Sequence, residues 1–268
     1  MGMRAALASA GAVLMLALAA LVMSLAVTSP ARVETVLAAP LPVLPLPRIE
    51  GRAGRPLLVI DAGHGGHDPG ASGSGVREKD VTLAVALAIR AAVLKQGRLR
   101  VALTRSDDRY LLLGERPEIA RAIGAALFVS IHADSGGGSG ATIYTLSEAP
   151  SDPAAARTAA RENGASAAAG DAEVAAILGD LARDDRLGSS LAFAEKLHAT
   201  AQGLPFKSEY RRSANFVVLR GAAMPAVLLE LGYLSDAGDA ARLRSPDRRA
   251  AIGDAVARAA DLFLATRK

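Results

Sequence analysis

The 268-residue chain has no cysteine and no tryptophan, and only five phenylalanines and four tyrosines. The missing thiols exclude a disulfide framework and any zinc site built on sulfur, so cohesion rests on packing and a metal would have to be held by nitrogen and oxygen. The scarcity of rings removes the stacking platforms that single-stranded nucleic acid needs. No nucleic-acid partner is expected, despite a formal charge of +4 and a pI near 9.7. That basic balance suits some other anionic polymer. Charge is absent from Ala5 to Val27, behind a short positive start at Met1 to Arg4. Such a run is an export segment. Ser24-Leu25-Ala26 offers small residues for cleavage, yet the run is also long enough to span a bilayer, which takes about 20 apolar residues. Residues 1–27 therefore read as a signal peptide or an inner-membrane anchor, and the remainder as exported to the periplasm.

What is present is ample core material, with 51% of residues hydrophobic. Residues 28–55 carry Pro30, Pro40, Pro42, Pro45 and Pro47 and read as an extended linker. The folded unit is expected over residues 56–268. There, strand-like runs (57–60, 99–104, 126–131, 141–146, with NFVVL at 215–219 and PAVLLEL at 225–231) alternate with helical patterns around 83–94, 115–123, 190–202 and 246–264. This implies an α/β fold: a mixed, largely parallel sheet covered by helices on both faces. Residues 147–188 differ, being alanine-rich, polar and poor in bulky side chains, with helix-like pieces at 153–162 and 173–183. They read as a helical insertion not needed by the core, the kind of segment that serves as a lid or regulatory element.

Two of the four histidines fall in one glycine-studded turn, LLVIDAGHGGHDPG, directly after the first strand. In an open α/β sheet functional groups collect just past the carboxyl ends of strands, where His64, His67 and His132 all stand. Glu78 opens a helix and Glu230 ends the run PAVLLE. Two imidazoles and a carboxylate make a catalytic zinc site with an open position for water, and a second carboxylate outside the ligand set can accept the water's proton. The turn lacks the lysine and hydroxyl residue of a P-loop, which argues against a phosphate cradle. Glu78 could equally be an acid favoured by the helix dipole, and His198 a helix-surface residue. Glu230, at the edge of a buried strand, needs a partner or a function to offset its desolvation.

The segments IDAGHGGHDPG, REKD, SIHAD and LELGYLSD, in that order, resemble the motifs of zinc-dependent N-acetylmuramoyl-L-alanine amidases of the cell-separation type. TRSDDRYLLLGER and FVVLRGAAMPA resemble further family segments. The resemblance implies one Zn2+ held by His64, Glu78 and His132, with Glu230 as the catalytic carboxylate. It places His67 at the rim and puts Asp134 where asparagine is common beside the metal. The implied reaction is hydrolysis of the amide between N-acetylmuramic acid and the L-alanine of the peptidoglycan stem peptide. RTAARENGASAAAG resembles the segment that covers the zinc in members opened by a LytM-type activator protein. It implies a blocking carboxylate, Glu162 first and Glu173 second. Two other readings compete: a zinc carboxypeptidase on stem peptides, and a non-catalytic peptidoglycan-binding or activator module.

Overall fold

Three runs in this chain, LLVIDA, LFVSIHAD and AVLLELGY, are buried at every position, as strands covered on both faces must be. In the computed structural model, which describes residues 46–164, 180–201 and 204–267, they are β1 (Leu57–Ala62), β5 (Leu127–Asp134) and β8 (Ala226–Tyr233). They form the middle of a six-stranded sheet with β4 (Arg100–Leu103), β6 (Ala141–Leu146) and β7 (Phe206–Ala214) in the order β4-β1-β5-β8-β6-β7. β4, β1, β5 and β8 run parallel, β6 is antiparallel to β8, and β7 is parallel to β6. A small hairpin, β2 (Ser72–Gly73) and β3 (Val76–Arg77), follows β1.

Alternation along each strand divides the core between the two faces of the sheet. Leu58, Ile60, Val129, Ile131, Val227 and Leu229 face α1 (Glu78–Gln96), α4 (Asp180–Thr200) and α7 (Pro246–Ala265), meeting Val85, Ile89, Phe193, Leu197, Val256 and Phe263. Leu57, Val59, Phe128, Leu228 and Tyr144 face the other way, toward α2 (Glu115–Ala122), α3 (Pro153–Asn163) and α5 (Val217–Arg220). A last short helix, α6 (Ala237–Arg244), follows β8. By the same alternation Asp61, Ser130, His132, Asp134 and Glu230 belong to the second face, near the carboxyl ends of β1, β5 and β8.

Several expectations need correcting. NFVVL is not a sheet strand: Val217–Arg220 make one helical turn, and the edge strand is the preceding FKSEYRRSA. That strand is half exposed and polar, so it carries no apolar run. Residues 147–188 do not hang free of the core: Ala155 and Ala159 of α3 pack among Tyr144, Phe216 and Leu219. Small side chains are what allow α3 so close to the sheet. The second helical piece is continuous with the next helix from Asp180 onward, while 173–179 lie outside the described residues. Glu50, in the expected linker, exchanges two backbone hydrogen bonds of 2.9 Å with Val101 and forms an ion pair with Arg90. Packing of this unit thus begins ahead of Pro56. Among the described residues no helix is long and apolar enough to cross a membrane, and residues 5–27 lie outside them.

Candidate metal centre

His64, Glu78, His132 and Glu162 each offer one ligand atom, and these atoms lie within 4.8 Å of one another. Each arrives from a different element. His64 stands in the turn after β1 with φ of 58°, a left-handed conformation that costs a non-glycine residue energy and must be imposed by its surroundings. Two buried arginines impose it. Arg116 donates to the carbonyls of Ala62 (2.8 Å), His64 (3.0 Å) and Leu111 (3.1 Å) and to Asp61 Oδ1 (2.9 Å). Arg105 donates to the carbonyls of Ala62 (2.8 Å), Gly63 (2.8 Å) and Lys79 (2.9 Å). Asp61, fully buried, also accepts from Thr104 and Ser130 at 2.6 and 2.7 Å. The His64 ring is oriented by its Nδ1 contact of 2.8 Å with Asp68, which leaves Nε2 facing the centre.

Glu78, the first residue of α1, accepts from the backbone N–H of Ala71 (2.8 Å) and of Ala133 (2.9 Å), and its Oε1 lies 3.0 Å from His132 Nδ1. Gly63 must be glycine here, since a Cβ would sit 2.4 Å from the His132 ring. His132 and Glu230 are register partners across β5 and β8. Glu230 is 1% exposed and stands beside the four-residue cluster rather than within it.

Glu162 comes from α3, whose buried face follows helical spacing: Ala155, Thr158, Ala159, Glu162, Asn163. Asp152 caps the helix by accepting from Ala154 and Ala155, and Pro153 stands in the first turn. At the far end Asn163 donates to Asn215 O and accepts from Val217 N–H, both near 2.9 Å. Glu162 Oε2 reaches within 3.2 Å of His64 Nε2 and 2.8 Å of His132 Nδ1. Asp134 is 1% exposed, lines the same cleft, and accepts from Arg161 (2.6 Å to Oδ2) and Thr158 (3.1 Å) of α3. His67 is exposed and lines the cleft, and His198 lies elsewhere, stacked on Tyr210. Glu173 lies outside the described residues.

The electrostatics call for a cation. Burial pulls the pKa of both imidazoles down, but Glu78, Asp68 and Glu162 push His64 up to about 12, and Glu162 and Glu78 push His132 up to about 10. Burial raises Glu78, yet the charge on His64 and the bond to His132 hold it well below the usual carboxylate range. Glu230 is driven far up by burial and then by the Glu162 carboxylate. Among the described residues His64 Nε2, Glu162 Oε2 and both carboxylate oxygens of Glu230 are buried without a hydrogen-bond partner. Nitrogen and oxygen donors converging within 4.8 Å, two of the four without a hydrogen-bond partner, in a field that traps positive charge, fit a divalent metal.

Sequence reasoning located His64, Glu78, His132 and Glu162 but attached no role to Arg105, Arg116, Asp61, Arg161 or Asn163. Arg105 and Asp61 are signalled only as charges beside apolar strand residues, in VALTR and LLVID, and Arg116, Arg161 and Asn163, which lie on helices, lack even that signal.

Residues 58–261 match the model of a family described as N-acetylmuramoyl-L-alanine amidase (Amidase_3). The chain is 34% identical over 225 residues to the N-acetylmuramoyl-L-alanine amidase AmiA of Escherichia coli K12, covering 79% of this chain and 77% of that protein. It is 32% identical over 189 residues to a sporulation-specific N-acetylmuramoyl-L-alanine amidase of Bacillus subtilis 168, covering 70% of this chain and 60% of that longer protein. The fold is similar, with a TM-score of 0.59 at 34% identity, to the catalytic domain of the amidase CwlV from Bacillus (Paenibacillus) polymyxa var. colistinus, covering 78% of this chain and 98% of that one.

Proposed function

We propose, from the premise that this chain belongs to the N-acetylmuramoyl-L-alanine amidase family, that it is an exported zinc hydrolase of peptidoglycan, held closed by α3. The bond cut is the amide between the lactyl group of N-acetylmuramic acid and the L-alanine of the stem peptide. The observation that carries the reading is the convergence of four unsulfured ligand atoms within 4.8 Å.

His64, Glu78 and His132 would hold the zinc, and Glu162, which reaches both imidazoles, would take the place that water and substrate need. A catalytic zinc site keeps one position for water and substrate, whereas four protein ligands close it. Zinc bound there supplies Lewis-acid polarisation of the amide carbonyl and acidifies the attacking water. The residues do the rest. Asp68 fixes the ring of His64, and the backbone N–H groups of Ala71 and Ala133 fix the carboxylate of Glu78. Glu230 takes the proton of the attacking water and delivers it to the leaving amine of L-alanine. Its elevated pKa in the closed form follows partly from Glu162, so withdrawal of Glu162 removes a negative neighbour and readies Glu230 to act as a base.

Activation therefore requires α3 to leave. A LytM-type activator protein that binds the open form does this; moving the population from about 1% to 99% open takes roughly 5.5 kcal/mol of preference. Export through residues 1–27 follows from the location of the substrate, and cell separation is the process served. Metal content and products are measured together on the full chain. One zinc per chain and stem peptides with a free L-alanine amino terminus support the reading. A zinc-loaded, folded Glu162→Gln variant that releases only terminal D-alanine, or nothing, defeats it.

A further inference from the structure

The cleft above the metal centre, about 630 Å3, is lined by the end of α3 and also by His67, Tyr110, Leu111 and Leu113, which the chemistry above does not use. The rings of His67 and Tyr110 lie against each other, centroids 4.1 Å apart and planes tilted by 36°. Tyr110 is 38% exposed, and it is the one tyrosine or phenylalanine lining the cleft. The chain has a second such pair, His198 stacked on Tyr210, but among the described residues it is the His67–Tyr110 pair that lines the cleft.

The pair is rigidly mounted. Lys79, 6% exposed, donates to Gly66 O and to Asp108 Oδ2, both at 2.7 Å, while Gly66 N–H donates to Asp108 Oδ1 at 2.8 Å. Gly66 has φ of 60°, and a Cβ there would meet Tyr110 N at 2.8 Å. The turn bearing Tyr110 is thus stapled to the loop bearing His64. These bonds also consume the loop's backbone groups: Gly65 and Asp68 exchange N–H and carbonyl at 3.0 and 3.1 Å. An extended peptide would need such groups free. What the loop adds to the cleft wall is this His67–Tyr110 ring pair.

We propose that His67 and Tyr110 form the subsite for the pyranose ring of the muramyl sugar. A pyranose offers a flat face of C–H groups that lies against an aromatic ring, whereas the stem peptide offers mainly amides. The proposal rests on the amidase reading for the identity of the sugar. Its test separates the two.

The full zinc-loaded chain, alone and in a Glu162→Gln background, is assayed on a muramyl tripeptide and on the N-lactoyl tripeptide that lacks the sugar. Tyr110→Ala raises KM for the muramyl substrate about 3- to 10-fold with kcat within about twofold, and leaves the lactoyl substrate unaffected. Tyr110→Phe, which keeps the ring, behaves as wild type. Equal losses on both substrates, no loss on either, or a Tyr110→Phe defect matching Tyr110→Ala overturns the subsite. Saturation-transfer NMR with the muramyl tripeptide gives a readout independent of turnover: signal on the pyranose protons of wild type that disappears in Tyr110→Ala. If the zinc-loaded Glu162→Gln chain cuts neither substrate yet shows that signal, the amidase reading falls and the sugar site stands. Absence of the signal in wild type overturns the site.

Discussion

The two sides of the metal centre are held by different forces. On the sheet side His64, Glu78 and His132 are fixed by buried bonds: Arg105 and Arg116 grip successive carbonyls of one turn, Asp61 anchors Arg116 from below, and backbone N–H groups hold Glu78. On the helix side Glu162 is delivered by α3, whose contacts with the sheet run through alanines and whose polar ties are Arg161 and Thr158 to Asp134 and Asn163 to the turn before α5. Alanine buries little area, so each turn of α3 adds little hydrophobic stabilisation, at about 25 cal/mol per Å2. The comparison teaches which side is held by fewer ties, and the proposed roles match it: metal ligands must keep their geometry, and a blocking group must be able to leave.

The largest expected effect lies on the sheet side. Glu230→Gln lowers the hydrolysis rate by about 10²- to 10⁴-fold while metal content stays at the wild-type level, since Glu230 stands outside the ligand cluster. Loss of metal together with activity would make Glu230 a ligand instead. Next comes Arg116→Met. Arg116 and Asp61 are both within 1% of full burial, and removing one partner of a buried pair costs about 3–5 kcal/mol, read from denaturant unfolding of the metal-free chain. The matching change on the other side, Arg161→Met, removes an arginine that is 39% exposed from a buried Asp134 that still accepts from Thr158 and from the N–H groups of Ser135 and Gly136, and it costs less than Arg116→Met. Equal losses would erase the distinction between the two sides.

Glu162→Gln sharpens the comparison from the helix side. It raises basal hydrolysis about tenfold, equivalent to about 1.4 kcal/mol of released closure. Unchanged basal hydrolysis would mean that α3 does not govern access. The smallest effect is on acid stability. Burial pushes Asp61 up, but Arg116, Thr104 and Ser130 outweigh it and hold the carboxyl below its ordinary range. A lowered folded value stabilises the fold above the unfolded pKa of about 3.9, and that contribution is lost as pH falls through the folded value. Asp61→Asn, though less stable at neutral pH, therefore shows a shallower loss of stability on acidification; an unaltered slope would show that Asp61 does not carry it.

How much of this was legible depended on the range of the cause. The central strands and the helices flanking them were readable because burial on both faces leaves continuous apolar runs. The edge strand FKSEYRRSA was not, because an edge strand with one half-exposed face has no such run. Asp134 looked like a neighbour of the metal by position in SIHAD, but its partner Arg161 lies 27 residues on, so its burial beneath α3 had no local signature.

By itself the sequence determined which atoms are available to the centre. Period-two alternation sends His132 and Glu230 to one face, and the ends of β1, β5 and β8 and the start of α1 place His64, Glu78, His132 and Glu230 near one sheet edge. Only the tertiary structure decided that α3 lies on that same face, that its 155-158-159-162-163 stripe turns Glu162 into the centre, and that two arginines from separate elements hold His64 in a left-handed conformation. The reason is physical: strand and helix periodicities act over a few residues, whereas a helix docking on a sheet and a guanidinium reaching a distant carbonyl depend on the whole chain being folded.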